Sequence, residues 1–301
     1  KQVLIMPTFR GLGEVFRFGS ISSMASIIKE FGSSAPDLIL GRTLGLVDIA
    51  FYSRAVGLQK MLIDRAIRLV RGVYFPSFAK SLREKGDGAE LYVNSINYLI
   101  SVTAPVLAFL AVVSDPLIIF MFGEQWKRSA IIASYLCTYS ILVTPYSLYT
   151  LSLIAAGKVN LSLKAEVIVQ LIRVTVLLSS FWLTLEEVIA MLIIAFFAEA
   201  IVSQKALKIA FGLGFRKLYL GIKSSLILIP LSILGPSLVI YVSHIYQLDS
   251  YRFLILAISS ILALFGWLVG VYVTNHAMKK EVMNIYSLFI GRKKKDKLNT
   301  P

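Results

Sequence analysis

Apolar residues run along this chain in long stretches separated by short polar turns, over nearly its whole length. About eight such stretches are legible, near residues 15–40, 48–78, 90–114, 128–156, 160–183, 186–210, 217–245 and 251–277. A helix needs about 20 apolar residues to cross a bilayer. The pattern therefore predicts an all-α polytopic membrane helix bundle with about eight transmembrane helices. Turn-forming residues fall where chain reversals are needed: Gly86-Asp87-Gly88 between the second and third stretches, Gly157 after the fourth, Gly212 and Gly214 between the sixth and seventh. Pro105, Pro145, Pro230 and Pro236 lie inside apolar runs, where a bundle tolerates a bend if neighbours satisfy the released carbonyls. Gly266 and Gly270 form a GxxxG pair in the eighth stretch, a spacing that lets two helices approach closely.

The second stretch breaks the apolar pattern. On a helical wheel at about 100° per residue, Arg54, Lys60, Asp64, Arg65, Arg68 and Arg71 fall within an arc of roughly 140°. The remaining arc is apolar, with Gln59 as its one polar intruder. An ionised side chain at bilayer depth costs about 2.5 kcal/mol or more unless it faces water, a partner or a ligand. The expectation is a basic wall beside a polar cavity that takes an anion. The competing reading is a basic amphipathic helix lying on the lipid surface.

Composition supports the membrane assignment. The 301 residues are 57% hydrophobic and only 16% charged, and mean hydropathy is +0.76. The net charge of +14 would suit nucleic acid, but it is not carried by a soluble domain, so no nucleic-acid partner is expected. Lys and Arg fall about nineteen to four on one side of the predicted loops, which places both ends of the chain in the cytoplasm. The tail GRKKKDKLNTP reads as a topology anchor that touches anionic lipid. The chain opens on Lys1 without a charged segment followed by a short apolar one, and the expectation is the C-terminal part of a longer protein.

Candidate chemistry is sparse. The single cysteine, Cys137, excludes an intrachain disulfide, and His244 and His276 are far apart. No catalytic residues, metal site or cofactor are expected. The basic residues at membrane depth include Lys29, Arg54, Arg65, Arg68 and Arg173, the candidate cavity cations. Arg suits phosphate because its planar fork donates two parallel hydrogen bonds, and Arg54, Arg65 and Arg68 lie within about 60° of one another on the wheel. Glu30, Asp64, Glu166 and Glu199 are the acids available for ion pairing or ion coupling. Asp64 and Arg68 are spaced for pairing on their own helix. Glu166, Gln170 and Arg173 share one face of the fifth stretch, with either Glu199 or Glu166 as partner for Arg173.

Several segments have a family likeness. PDLILGRTLGLVDIAFYSRAVGL at Pro36–Leu58, VYFPSFAKSLRE at Val73–Glu84, FGEQWKRSA at Phe122–Ala130 and AAGK at Ala155–Lys158 occur in order. Together they resemble the bacterial polysaccharide-transport flippases of the multidrug/oligosaccharidyl-lipid/polysaccharide exporter superfamily. That resemblance implies two pseudosymmetric helical lobes around a central cavity. Residues 1–210 would form the second six-helix lobe, 211–278 two additional transmembrane helices, and 279–301 a basic cytoplasmic tail. It also implies a non-enzymatic flippase in the bacterial inner membrane for polysaccharide, O-antigen or exopolysaccharide export. The cargo would be an undecaprenyl-pyrophosphate-linked oligosaccharide, with membrane lipids and glycan polymerase or export proteins as partners. No family motif assigns the arginines, which rest on the wheel. The alternatives are a multidrug or other lipid exporter of the same superfamily, a membrane-embedded glycan polymerase or ligase, and a scaffolding subunit. Excess arginine argues against a cationic drug, and short external loops offer an enzyme few catalytic groups.

Overall fold

A computed structural model describes residues 12–84 and 86–283. Among the described residues there are no strands, and nine α-helices have both ends described. They are α1 (Leu12–Thr43), α2 (Leu46–Arg83), α3 (Gly88–Phe122), α4 (Lys127–Val143), α5 (Tyr149–Ala155), α6 (Val159–Leu178), α7 (Leu185–Phe211), α8 (Phe215–Ile245) and α9 (Arg252–Val273). Pro145 sits in a short 3₁₀ turn, Thr144–Tyr146, that joins α4 to α5 into one rod. The result is eight rods that follow the eight apolar stretches. By length and composition four are apolar enough to cross a membrane: Gly88–Phe122, Glu124–Ala155, Phe215–Ile245 and Arg252–Val273. The charges at depth, Lys29, the α2 stripe, Arg173 and Glu199, sit on α1, α2, α6 and α7. The chain is thus an all-α, multi-pass membrane bundle.

The reversals use the residues the sequence offered. Asp87 caps α3 by accepting from the backbone N–H groups of Ala89 at 2.8 Å and Glu90 at 3.4 Å. Gly157 and Gly212 adopt φ values of 72° and 67°, the left-handed region that ends a helix cheaply only for glycine. Lys217 at the start of α8 reaches Asp87 at 3.1 Å, and Lys158 donates to the Ala210 carbonyl at 2.5 Å, tying the Lys-rich end of the bundle. At the opposite end Arg128 of α4 bridges Asp48 of α2 and Glu186 of α7, and Arg252 pairs with Glu124.

The Lys217 hydrogen bond, with the cap, holds the Asp87 carboxyl below the usual aspartate range. Its contribution to stability is therefore present above the unfolded-state pKa and lost as pH falls through the lowered folded-state value. Unfolding followed against pH should show this acid loss in the wild type, and Asp87→Asn should remove that step.

Two apolar clusters occupy the two ends. One gathers Tyr74 and Phe78 of α2, Tyr92 and Ile96 of α3, Leu153, and Leu207 of α7. The other gathers Leu40, Tyr52 and Ala55 with Ile118, Leu136, Leu177 and Val188. The additional pair, α8 and α9, packs on α3. Trp267 of α9 donates its indole N–H to the Ser101 carbonyl at 2.7 Å, and Ser225 of α8 donates to the Asn97 carbonyl at 2.9 Å. The GxxxG glycines mark the closest approach of this pair: a Cβ on Gly266 would lie 2.1 Å from the Leu231 carbonyl oxygen. Backbone cannot yield as a side-chain tip does. Gly266→Val should therefore cost about 1–3 kcal/mol, read as a lowered unfolding midpoint, whereas Gly57→Ala, with nothing within 4 Å, should not destabilise.

Candidate functional site

Between these two apolar clusters α2, α4, α6 and α7 carry polar residues, while a third, smaller cluster of Leu107, Leu110 and Cys137 keeps the α3–α4 contact apolar. On α6, Ala165 belongs to one cluster and Val176 to the other, with Glu166, Gln170 and Arg173 between them. On α7, Glu199 lies between Ala195 and Ala206 in the same way. On α2 the polar pair Gln59 and Lys60 separates Ala55 from Tyr74. Ser140 and Thr144 fill the corresponding place near the end of α4.

This layer borders a hollow of about 210 Å³, room for several waters. Tyr52, Gln59, Lys60, Ser140, Arg173 and Glu199 are among its polar lining residues, and Gly32, Val56, Ile63 and Phe196 are among the other residues around it. Arg173 donates to Glu199 at 2.7 Å, which resolves the two partners the sequence offered. Glu166 is taken instead by other groups. It is 2% exposed and accepts from the Tyr149 hydroxyl at 2.8 Å and the Thr150 hydroxyl at 3.0 Å. Gln170 donates to its other oxygen at 3.4 Å, and Lys29 reaches across from α1 at 3.9 Å. Gln59 bonds Ser140 across the hollow.

The structure places the sequence-predicted residues in two groups. Lys29, Glu166, Arg173 and Glu199 meet in the polar layer. Arg54, Arg65 and Arg68 stand on the exposed face of α2 and line no part of this hollow. The hollow is bordered by the opposite arc, Tyr52, Val56, Gln59 and Ile63, with Lys60 at its edge. The physical reason is that α2 buries the arc carrying Ala55 and Tyr52 against α4, which leaves Arg65 and Arg68 exposed on the other arc. Arg54 is further set apart. Its guanidinium lies over the rings of Phe122 at 4.3 Å and Trp126 at 4.6 Å, beside a second hollow of about 390 Å³. Glu30 is exposed. The side chains of Asp64 and Arg71 lie outside those described, as does the tail from residue 284.

Two elements escaped the sequence reading. Tyr149 and Thr150, which hold Glu166, belong to a separate short helix. Arg128, at the start of α4, clamps two other helix starts. Gln59 did carry a signal, as the lone polar residue on an apolar arc. Among the described residues no group of three or more His, Cys, Asp or Glu is placed to hold a metal ion.

The described helices thus form an apolar bundle with charged and polar residues between two of its apolar clusters. Comparison with known proteins gives the more particular relation. Residues 2–131 match the family described as "Polysaccharide biosynthesis protein". The chain is 28% identical over 153 residues to the teichuronic acid biosynthesis protein TuaB of Bacillus subtilis (strain 168), covering 51% of this chain and 32% of that protein. It is 29% identical over 155 residues to the lipopolysaccharide biosynthesis protein WzxC of Escherichia coli (strain K12), covering 50% and 31% respectively. The succinoglycan biosynthesis transport protein ExoT of Rhizobium meliloti (strain 1021) is 25% identical over 134 residues, or 44% of this chain and 27% of that protein. The matched stretch thus spans about a third of the length of these relatives. No solved structure matches the chain. The resemblance to polysaccharide-transport flippases is borne out by these matches.

Proposed function

We propose that this chain is part of a flippase that moves a lipid-linked glycan, of the undecaprenyl-pyrophosphate type, across the bacterial inner membrane during polysaccharide export. The observation that carries the reading is the placing of cations on both arcs of α2 in an apolar bundle: Lys60 beside Arg173 at the hollow, and Arg65 and Arg68 exposed on the opposite arc. The names of the relatives, polysaccharide biosynthesis and transport proteins, support the same reading. All eight rods cross the membrane, with the Lys-rich end and both ends of the chain in the cytoplasm. Residues 1–210 form one lobe, 211–278 two further helices, and 279–301 a tail that meets anionic lipid.

In this reading the α2 arginine arc faces a hydrated path bounded by a second lobe, not acyl chains. The diphosphate pairs with Arg65 and Arg68 and is passed toward Lys60 and Arg173, while the prenyl chain stays in lipid. Rocking of one lobe against the other opens the path to the outer leaflet. Binding equally strong in both states would not drive the exchange, so the arginines must grip the headgroup differently in each. The protein acts as a transporter and not as an enzyme.

The test is reconstitution of the complete gene product with an undecaprenyl-pyrophosphate-linked oligosaccharide. Headgroups should become accessible across the bilayer faster than in protein-free vesicles. Glycan elongation without translocation would favour the polymerase reading, and absence of both would overturn the flippase.

A further inference from the structure

Helices that follow one another in a chain usually pack together, but α7 and α8 diverge from their turn. α8 packs on α3 and α9, whereas α7 packs on α4 and α6. Between α7 and α8 lies an apolar groove of about 590 Å³, backed by Pro145 and Tyr146 of the turn that joins α4 to α5. Phe197 and Ile201 of α7 form one wall, and Ile222 and Leu226 of α8 form the other. Phe197 and Ile201 are each more than half exposed, so the groove is open along its side.

The groove has a polar mouth and an apolar interior. Its lining on α8 runs from Phe215, the first residue of the helix, to Leu226, or about 17 Å at 1.5 Å per residue. A hydrocarbon core is about 30 Å thick, so the groove starts at the Lys-rich end and stops near mid-membrane. α8 has 31 residues, about 46 Å, and overhangs that core. Its first turns, with Tyr219 and the facing Lys205, therefore lie near headgroup level. The rings of Phe215 and Tyr219 stack there at 6.4 Å and 18°.

The polar groups at the mouth are not equally satisfied. Gln204 accepts from the Tyr146 hydroxyl at 3.3 Å and donates to the Leu213 carbonyl at 2.8 Å. Lys205 is exposed and joins no ion pair or hydrogen bond among the described residues. No carboxylate lines the groove. Lys208 and Arg216, each within a turn of a lining residue, are also exposed. An ammonium group at the lip of an apolar groove, with its stem along the wall, suits a ligand with an anionic head and an apolar tail.

We propose that this groove binds one anionic phospholipid of the leaflet at the Lys-rich end, with an acyl chain between α7 and α8 and the phosphate at Lys205. That leaflet is the cytoplasmic one in the topology above, and the site does not depend on what the protein carries. A neutral phospholipid brings its own cation and leaves the lysine uncompensated. The undecaprenyl chain is far longer than a groove that ends at mid-membrane. The bound acyl chain supplies the contacts that α7 and α8 do not make with each other, and so ties the α8–α9 pair to the rest of the bundle.

The probe is phosphatidylglycerol carrying a photoreactive diazirine at the end of one acyl chain, added to the complete gene product in detergent without any glycan. Crosslinking should saturate at one lipid per protein and fall on α7 and α8 within residues 197–226. The same probe with a phosphatidylcholine head should bind about fivefold more weakly, the effect of one lysine near an anionic head. Lys205→Gln should bring phosphatidylglycerol down to that level, and Lys205→Arg should not. Neither change disturbs a contact within the described residues, so both variants should fold. Ile201→Trp, at an exposed position, should fill the groove and abolish the crosslinks. Crosslinks spread over the outer helices without saturation would overturn the site, as would equal binding of the two lipids or a preference that survives Lys205→Gln. Displacement of phosphatidylglycerol by an equimolar amount of undecaprenyl phosphate would also overturn it, and would give the groove to the carrier chain. Translocation is not read in this experiment, so failure of the flippase reading and failure of the lipid site are separate results.

Discussion

Replacing Arg173 by Leu is expected to destabilise the protein by about 2–3 kcal/mol, between the cost at a surface pair and that of stranding one member of a fully buried one, because the pair is part-buried. Arg173 and Glu199 are each 22% exposed at the side chain, and their 2.7 Å bond joins α6 to α7 between two apolar clusters. Without the guanidinium, the Glu199 carboxylate faces the hollow with no ion-pair partner among the described residues. Glu199→Leu should cost a similar amount by stranding the arginine. The double variant Arg173→Leu/Glu199→Leu should recover most of the loss, because apolar replacement of both partners removes the desolvation penalty as well as the attraction. Unfolding by denaturing detergent measures all three. Costs of about 0–1 kcal/mol for the single variants would mean that the pair behaves as a surface pair, and the polar layer would lose its structural meaning.

A second large effect is expected on transport. Arg65→Ala/Arg68→Ala should lower the rate of headgroup translocation roughly a hundredfold or more, since each charge-assisted hydrogen bond to a phosphate contributes about 1.5–3 kcal/mol. Both side chains are exposed and no ion pair within the chain involves them among the described residues, so stability should change little. The contrast with Arg173 is the informative part. One substitution acts through the fold, and the other acts only through the guest. Arg65→Lys/Arg68→Lys, which keeps charge but loses the planar fork, should fall between wild type and the alanine variant.

The rods were legible in the sequence because the apolar periodicity is long and its breaks carry glycine. The stretch read near 186–210 is α7, Leu185–Phe211, and that near 217–245 is α8, Phe215–Ile245. Others run longer than read, such as α2 to Arg83, because polar helical turns continue past the apolar part. The fourth stretch is divided, since Pro145 lacks an N–H and converts one turn to 3₁₀ geometry. The Glu166–Gln170–Arg173 face was also legible, because helical spacing alone sets it. Its partners were not, as Lys29 and Tyr149 reach Glu166 from other helices. Nor does a wheel say which arc of α2 looks inward. A cavity needs a polar arc and a core needs an apolar one. Within this chain the core took α2, which set the arginine arc on the outside. The Asp48–Arg128–Glu186 clamp escaped for a similar reason, because three helix starts distant in sequence form it.

The central claim is that the exposed arginine arc of α2 borders a hydrated path for the guest. The protein's single cysteine, Cys137, is buried, so introduced thiols report with little background. Arg65→Cys and Arg68→Cys, placed singly in the complete gene product in lipid vesicles, can be challenged with a charged, membrane-impermeant maleimide and, separately, carry a fluorophore exposed to lipid-borne quenchers. The account predicts rapid maleimide labelling that the lipid-linked oligosaccharide slows, and weak quenching from lipid. Strong lipid quenching at both positions, with labelling that is slow and indifferent to the oligosaccharide, would contradict it.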